Sequence, residues 1–405
     1  MLSWANRFNI FCFLDNQDYS LQPHRYDCLL AAGAHRSISS SSHRDIDQFL
    51  AQSNGWVFGH LAYGLKDVIH GLPPAAPDRT GFPLFHFFEP DFLCRLHNDG
   101  VTITALHPDA VYKEILAADS PRPAPAGALL FQPALTREMY LQTVRQLQEH
   151  ILRGDCYEIN FCQSFRNEGA VIHPQTVYER LAQVSPMPFS AFYRLNDSYL
   201  ICASPERFLT RTDLTILSQP MKGTIRRNLQ NEQEDEALKR ELKHSAKDQS
   251  ENVMVVDLVR NDLSRICRDG TVGVDELFGV YSYPKVHQMI STVSGELLPG
   301  VTFSEILDAT FPMGSMTGAP KHRVMELIDT YEPQPRGIFS GSVGYFDPEG
   351  NFDFNVVIRS IMYNNSSRLL WYAVGSGITF YSDPEKEWDE CELKAAAIRE
   401  VLAGS

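Results

Sequence analysis

Two pairs of acidic residues at helical spacing are the first candidates for chemistry in this chain. Asp248 and Glu251 stand i, i+3, as do Glu387 and Glu390, so each pair shares one face where its segment is helical. Asp383-Pro384 ahead of the second pair reads as an N-cap followed by proline at the first helical position. Oxygen ligands with no Cys or His between them favour magnesium, which keeps waters and bridges to substrate oxygens. A solvated helix surface also accounts for either pair. Arg359 lies in the strand-like run Val356 to Ile361, where a charge is costly unless an anion meets it. Its guanidinium can grip a ligand carboxylate through two parallel hydrogen bonds or close an internal salt bridge. Gly375-Ser376-Gly377 would let a ligand approach the backbone, although such triplets are also common turns. Gly318-Ala319-Pro320-Lys321 opens a helix, whose free N–H groups and positive dipole end favour an anion. Lys222, ahead of Gly223-Thr224, reads on its own as a surface lysine in a turn, and Lys394 as an i, i+4 ion pair with Glu390.

These residues need elements to hold them. Thr136 to Leu152 carries Leu141, Val144, Leu147 and Ile151 at helical spacing, and Glu232 to His244 places Leu238 and Leu242 on one face. Ser304 to Ala309 and Lys321 to Tyr331 are further helices. Strand-like runs cover Ile10 to Leu14, Val101 to Leu106, Tyr157 to Phe161, Ser198 to Ala203, Gly341 to Phe346, Phe352 to Tyr363 and Leu369 to Val374. Strands in groups with long helices between them fit an α+β architecture better than regular βαβ alternation. Three prolines in Ser120-Pro121-Arg122-Pro123-Ala124-Pro125-Ala126-Gly127 break both patterns, so a connector is expected at 120–127.

A formal net charge of -14 over 405 residues argues against nucleic acid as a partner, since phosphate binding needs a basic surface. A local pocket of Arg and Lys can still receive an anionic substrate. The eight cysteines are scattered without a CxxC pair, which suits neither a zinc site nor a disulfide framework and fits free thiols in a reducing cytoplasm. The start lacks a signal peptide's basic and apolar regions, and no stretch approaches the roughly 18 apolar residues that span a bilayer. The expected location is cytoplasmic, with no membrane partner.

In order along the chain stand Gly154-Asp155-Cys156-Tyr157-Glu158-Ile159-Asn160, Ser204-Pro205-Glu206-Arg207-Phe208, Gln219-Pro220-Met221-Lys222-Gly223-Thr224 and Ser250-Glu251-Asn252. Asp257-Leu258-Val259-Arg260-Asn261-Asp262, Thr317-Gly318-Ala319-Pro320-Lys321, Ile358-Arg359-Ser360, Gly375-Ser376-Gly377 and Glu387-Trp388-Asp389-Glu390 follow. From about Thr136 to Leu402 this series resembles the chorismate-utilising enzymes. The lysine at 222 is similar to that of the branch making 4-amino-4-deoxychorismate, toward para-aminobenzoate and folate. The resemblance implies two large sheets packed face to face, helices outside and an active-site cleft between them. Residues 1–135 would give the N-terminal part of the sheet core and 136–405 the chorismate-binding catalytic region.

It further implies that Glu251 and Glu390 hold magnesium, with Asp248 and Glu387 holding its waters. Arg359, Gly375, Ser376, Gly377 and Thr317 would contact chorismate, with Lys394 nearby. Lys222 would attack C2 of chorismate and displace the C4 hydroxyl, with Glu206 as general acid. Ammonia would then attack C4. The chain ends at Ser405 just beyond its terminal helix, so the expected ammonia source is a separate glutaminase subunit.

Three other readings fit less well. Anthranilate synthase large components typically carry alanine where Lys222 stands. Isochorismate and salicylate synthases carry a basic lysine where this chain has Glu158. A noncatalytic regulatory subunit would not need Lys222, Glu206, Glu251, Glu390 and Arg359 together. Two departures from the family pattern stand out. Gln288 occupies a position that is histidine in many members, with His287 one residue earlier and on the opposite face of a strand. Glu158 replaces an expected glutamine.

Overall fold

Alternation along the strands decides which core each side chain enters. In Ile10–Asp15, Phe11 and Phe13 join one apolar cluster while Cys12 joins another. In Ser198–Ser204, Ile201 and Ala203 separate in the same way from Leu200 and Cys202. Successive Cβ atoms point to opposite faces of a sheet, so each strand of this kind is buried on both sides. One cluster lies between two sheets, and the other lies between the first sheet and its helices.

The computed structural model describes residues 1–19, 26–74, 78–97, 100–119 and 129–403. Among these, an 11-stranded sheet and a 10-stranded sheet form, with antiparallel pairing throughout. The first runs Gly318–Ala319, Glu158–Glu168, Leu369–Ile378, Ser360–Asn364, Ser198–Ser204, Phe189–Leu195, Ile10–Asp15, Cys28–Ala32, Phe92–His97, Gly100–Thr104, with Gln132–Pro133 also paired to Glu158–Glu168. The second runs Met221–Arg226, Val286–Glu296, Thr215–Gln219, Arg207–Thr212, Phe352–Asn355, Ser342–Phe346, Val57–Leu61, Phe85–Glu89, Arg36–Ile38, with Gly273–Ser282 also paired to Val286–Glu296. Tyr193, Phe58, Phe87, Val343 and Phe354 fill the space between the sheets. Helices Arg137–Leu152, Pro174–Val184 and Pro384–Ala403 cover the outer face of the first sheet through Tyr140, Val144, Tyr178, Leu181 and Ile398. Ala246–Ser264 and Phe303–Thr310 contribute Val255, Val259, Ile306 and Leu307 beside the second. The α+β architecture of two packed sheets with helices outside is therefore present.

Segments from the first 104 residues lie inside both sheets: Ile10–Asp15 pairs with Phe189–Leu195, and Val57–Leu61 pairs with Ser342–Phe346. The proline-rich connector expected at 120–127 lies outside the described residues. Helices Glu232–His244 and Lys321–Tyr331 span the residues their patterns indicate. Thr136 caps Arg137–Leu152 by accepting from the Met139 N–H.

The run read as one strand from Phe352 to Tyr363 is two. Phe352–Asn355 belongs to the second sheet and Ser360–Asn364 to the first, and Val356 to Arg359 carry the chain across. Beside it, Ser198–Ser204 belongs to the first sheet and Arg207–Thr212 to the second, so Pro205-Glu206 makes the reverse crossing. The crossings are bonded together: the Ala203 N–H donates to the Arg359 carbonyl at 3.2 Å, and the Val356 N–H donates to the Glu206 carbonyl at 3.0 Å.

Candidate active site

The paired crossings place Glu206 and Arg359 side by side. Arg359 adopts φ +50, a conformation unfavourable for a side-chain-bearing residue, and sits at a bend rather than in the expected strand. Burial lowers its pKa, with Tyr283 and Glu206 opposing. Other buried cations have carboxylate partners: Lys66 with Asp67 and Asp329, Arg207 with Asp353, Lys321 with Asp262, and Arg336 with Glu332. Among the described residues Arg359 forms no ion pair; its guanidinium meets the Met187 sulfur at 3.7 Å. Among the described residues no internal salt bridge forms, and the guanidinium is open to an anion. Glu206 is 4% exposed, and burial lifts its carboxyl pKa to about 7, against opposing effects from the Ser315 hydroxyl, Lys222 and Arg359.

Lys222 is no surface lysine. Its side chain is 11% exposed on Met221–Arg226 of the second sheet, and its ammonium donates a short hydrogen bond to Glu158 of the first. Burial works against the ammonium, but the charges of Glu158, Glu251 and Glu206 outweigh it and hold its pKa above that of an ordinary lysine. Glu158 is held in turn by Gly318, whose φ of +148 and lack of a side chain permit the bridge to the 158–159 backbone. A Cβ there would stand 2.0 Å from the Glu158 carbonyl oxygen.

Gly375-Ser376-Gly377 is not a turn. It continues the strand Leu369–Ile378, paired through Cys162, Phe161 and Asn160. Glycine within a strand marks a close approach. A Cβ on Gly377 would stand 2.9 Å from both Glu158 Oε1 and Lys222 Nζ, so this backbone roofs the ion pair. Ser376 donates to the buried Glu387 carboxylate, tying the strand to the terminal helix, and Lys394 donates to the Gly375 carbonyl at 2.8 Å. The Glu385 N–H donates to Asp383 Oδ1 at 2.9 Å, as the Asp-Pro helix start requires.

The remaining acidic residues gather beside Lys222. Glu251 Oε1 is buried without a hydrogen-bond partner, and burial raises its carboxyl pKa to about 7, with Lys222 opposing. Glu390 pairs with Lys394 at 2.7 Å; burial raises its pKa, but Lys394, Lys247 and Lys222 bring it below the usual range. Both carboxylates thus feel Lys222 and Lys247. Asp248 rests against Gly223, next to Lys222. No group of three or more His, Cys, Asp or Glu side chains converges on a point among the described residues. A cation held here would take one or two carboxylates and complete its shell with water or substrate, which suits magnesium. The Glu251 oxygen, which has no hydrogen bond and only Lys247 at 3.9 Å, fits such an ion.

Thr317 is committed elsewhere. Its hydroxyl donates to the Met313 and Gly314 carbonyls, and its own carbonyl accepts from the Asn160 N–H at 2.7 Å. It shapes the loop beneath the site and has no hydroxyl proton left to offer a ligand. Lys321 is likewise held by Asp262 and the Thr310 carbonyl. His287 turns away toward Asp235 and Ser282, whereas the amide of Gln288 is buried without partners. The pairing of Glu158 with Lys222 went unread in the sequence; the charge reversal at 158 was its only signal.

Where two antiparallel sheets meet, a largely buried lysine, a buried glutamate and a guanidinium without an ion pair among the described residues together define the class. The chain belongs to the chorismate binding enzyme family, whose pattern matches residues 13–400. It is 41% identical over 272 residues to aminodeoxychorismate synthase component 1 of Escherichia coli (strain K12), covering 67% of this chain and 59% of that protein. It is 34% identical over 391 residues to the probable chloroplastic aminodeoxychorismate synthase of Oryza sativa subsp. japonica, covering 86% of this chain and 43% of that protein. The chain thus spans only about half the length of these curated relatives. Anthranilate synthase component I from Streptococcus pneumoniae TIGR4 superposes with a TM-score of 0.80 at 25% identity, covering 94% of this chain and 93% of that one. MenF, the menaquinone-specific isochorismate synthase of Escherichia coli, shares the fold with a TM-score of 0.79 at 20% identity, covering 99% and 91%. No helix among the described residues is long and apolar enough to cross a membrane.

Proposed function

We propose that this chain converts chorismate and ammonia to 4-amino-4-deoxychorismate. The observation that carries the reading is Lys222, buried under Gly377 and facing carboxylates instead of solvent. Arg359 grips a substrate carboxylate, with the backbone of Gly375 and Gly377 bordering the substrate. Lys222, once neutral, forms a bond from its nitrogen to C2. The ring double bonds shift and the C4–O bond breaks, with Glu206 giving its proton to the departing oxygen to make water. A carboxyl with a pKa of about 7 holds that proton at neutral pH. Ammonia then bonds to C4, the double bonds shift back, and the lysine leaves with its electron pair. Magnesium held by Glu251 and Glu390 would neutralise a substrate carboxylate, with Asp248 and Glu387 around it.

Ammonia would reach the site from a separate glutaminase subunit, so purified chain should use ammonium but not glutamine. All eight cysteines are free and buried, in keeping with a reducing cytoplasm. The test is incubation with chorismate, ammonium and magnesium, followed by identification of the product. A product retaining the enolpyruvyl group, a Lys222 adduct visible by mass spectrometry, and loss of both in Lys222→Ala are expected. Anthranilate or isochorismate as main product would overturn the reading.

A further inference from the structure

We infer that Glu158 is the proton acceptor for Lys222, taking the ammonium proton as the amine attacks and returning it when the lysine departs. This role rests on the reading of Lys222 as nucleophile given above. The geometry is direct. Glu158 is the only carboxylate in ion-pair contact with Lys222 among the described residues, and their side chains are 3% and 11% exposed. They come from strands in different sheets, so the contact exists only where the sheets meet. The Gly377 backbone closes over both atoms, leaving no room for a side chain between roof and pair. Proton transfer here converts an ammonium and a carboxylate into a neutral amine and a carboxylic acid, with nothing exchanged with solvent. Burial favours that neutral pair over the separated ions.

The other two acids facing Lys222 are poorer acceptors. Neither Glu206 nor Glu251 lies within ion-pair distance of Lys222 among the described residues, and Glu251 would be taken up by the metal. Glu206 must also hold a proton for the leaving oxygen, so it cannot accept one in the same step. Acid and base are thus separate groups with different surroundings.

The test compares parent, Glu158→Gln and Glu158→Asp in two measurements. In the first, kcat with chorismate and ammonium is followed against pH. With free ammonia held saturating, the parent should decline above neutrality only as Glu206 loses its proton. Glu158→Gln should lose about 10²- to 10³-fold near pH 7, with KM for chorismate within about threefold. Its deficit relative to the parent should shrink about tenfold per pH unit as bulk base takes over, and Glu158→Asp should recover the parental profile. A purely structural loss would not depend on pH. In the second, carbamoylation of Lys222 by cyanate in ligand-free protein is followed by mass spectrometry against pH. The midpoint should fall in Glu158→Gln, because burial then acts with less opposition. A parent that forms no Lys222 adduct with chorismate overturns the nucleophile reading and this role with it. If the parent forms the adduct and Glu158→Gln matches it in both profiles, only the role of Glu158 is overturned.

Discussion

Replacing Arg359 with methionine should separate stability from binding. The guanidinium is largely buried, has no carboxylate partner among the described residues and has its pKa lowered by that burial. Breaking a buried ion pair usually destabilises by leaving a charge alone, but here there is no pair to break. Methionine fills similar space without a charge to desolvate, and the cost of φ +50 is common to both residues. The ligand-free variant should therefore be as stable as the parent, or more stable by about 1–2 kcal/mol. Substrate binding should move the other way. Two charge-assisted hydrogen bonds to a carboxylate contribute about 1.5–3 kcal/mol each, so kcat/KM should fall by about 10²- to 10⁴-fold. Thermal unfolding with and without chorismate, beside steady-state kinetics, reads both effects. The parent should gain stability with ligand and the variant should not. A lowered unfolding temperature with unchanged kcat/KM would show that Arg359 is structural, and the reasoning would fail.

Glu206 links stability to pH. Its carboxyl pKa is raised from the ordinary range to about 7, so between about pH 4.5 and 7 the folded state binds the extra proton and stability falls as pH rises. The stability of the parent relative to Glu206→Gln should fall by up to about 3 kcal/mol over that window and flatten above it; a difference constant with pH refutes the burial argument. Gly377→Ala places a methyl carbon 2.9 Å from both partners of the Lys222–Glu158 pair on backbone any residue can adopt. It should cost about 1–3 kcal/mol in denaturant unfolding but lower kcat at least about 100-fold, and near-parental turnover would mean the roof is loose. Glu251→Gln neutralises a buried carboxylate that has no hydrogen bond at Oε1 and only the exposed Lys247 ammonium at 3.9 Å. The metal-free variant should melt higher than the parent at pH 8 and lose any rise in melting temperature on adding magnesium, so an undiminished rise would place the ion elsewhere.

Where local rules act alone, the sequence was legible. Asn231 accepts from the Glu234 N–H and starts the helix at Glu232, and Leu242 on its buried face completes the amphipathic pattern. The break at Val356 to Arg359 was hidden because Val356-Val357-Ile358 continues a strand's apolar run while the chain changes sheets. Nothing in an arginine announces a positive φ. For Gly375-Ser376-Gly377 the sequence leaves a close approach and a turn both open, because glycine serves either, and only the strand pairing and the neighbouring Lys222–Glu158 pair decide between them. Lys222 looked exposed because its partner is 64 residues away, beyond any local pattern. The acidic spacings were visible, but the orphaned oxygen of Glu251 depends on packing that spacing does not encode.

The place of Val57–Leu61 beside Ser342–Phe346 has a consequence during synthesis. The earlier strand leaves the ribosome almost three hundred residues before its partner, a wait of roughly 15 to 60 s at typical elongation rates. Its other neighbour, Phe85–Glu89, arrives early, so an apolar hairpin with one unpaired edge must persist through most of translation. Ile10–Asp15 waits in the same way for Phe189–Leu195. The nascent chain is thus open to edge-to-edge association until its C-terminal third emerges, and the yield of folded protein should depend on translation speed and on chaperones that cover that edge.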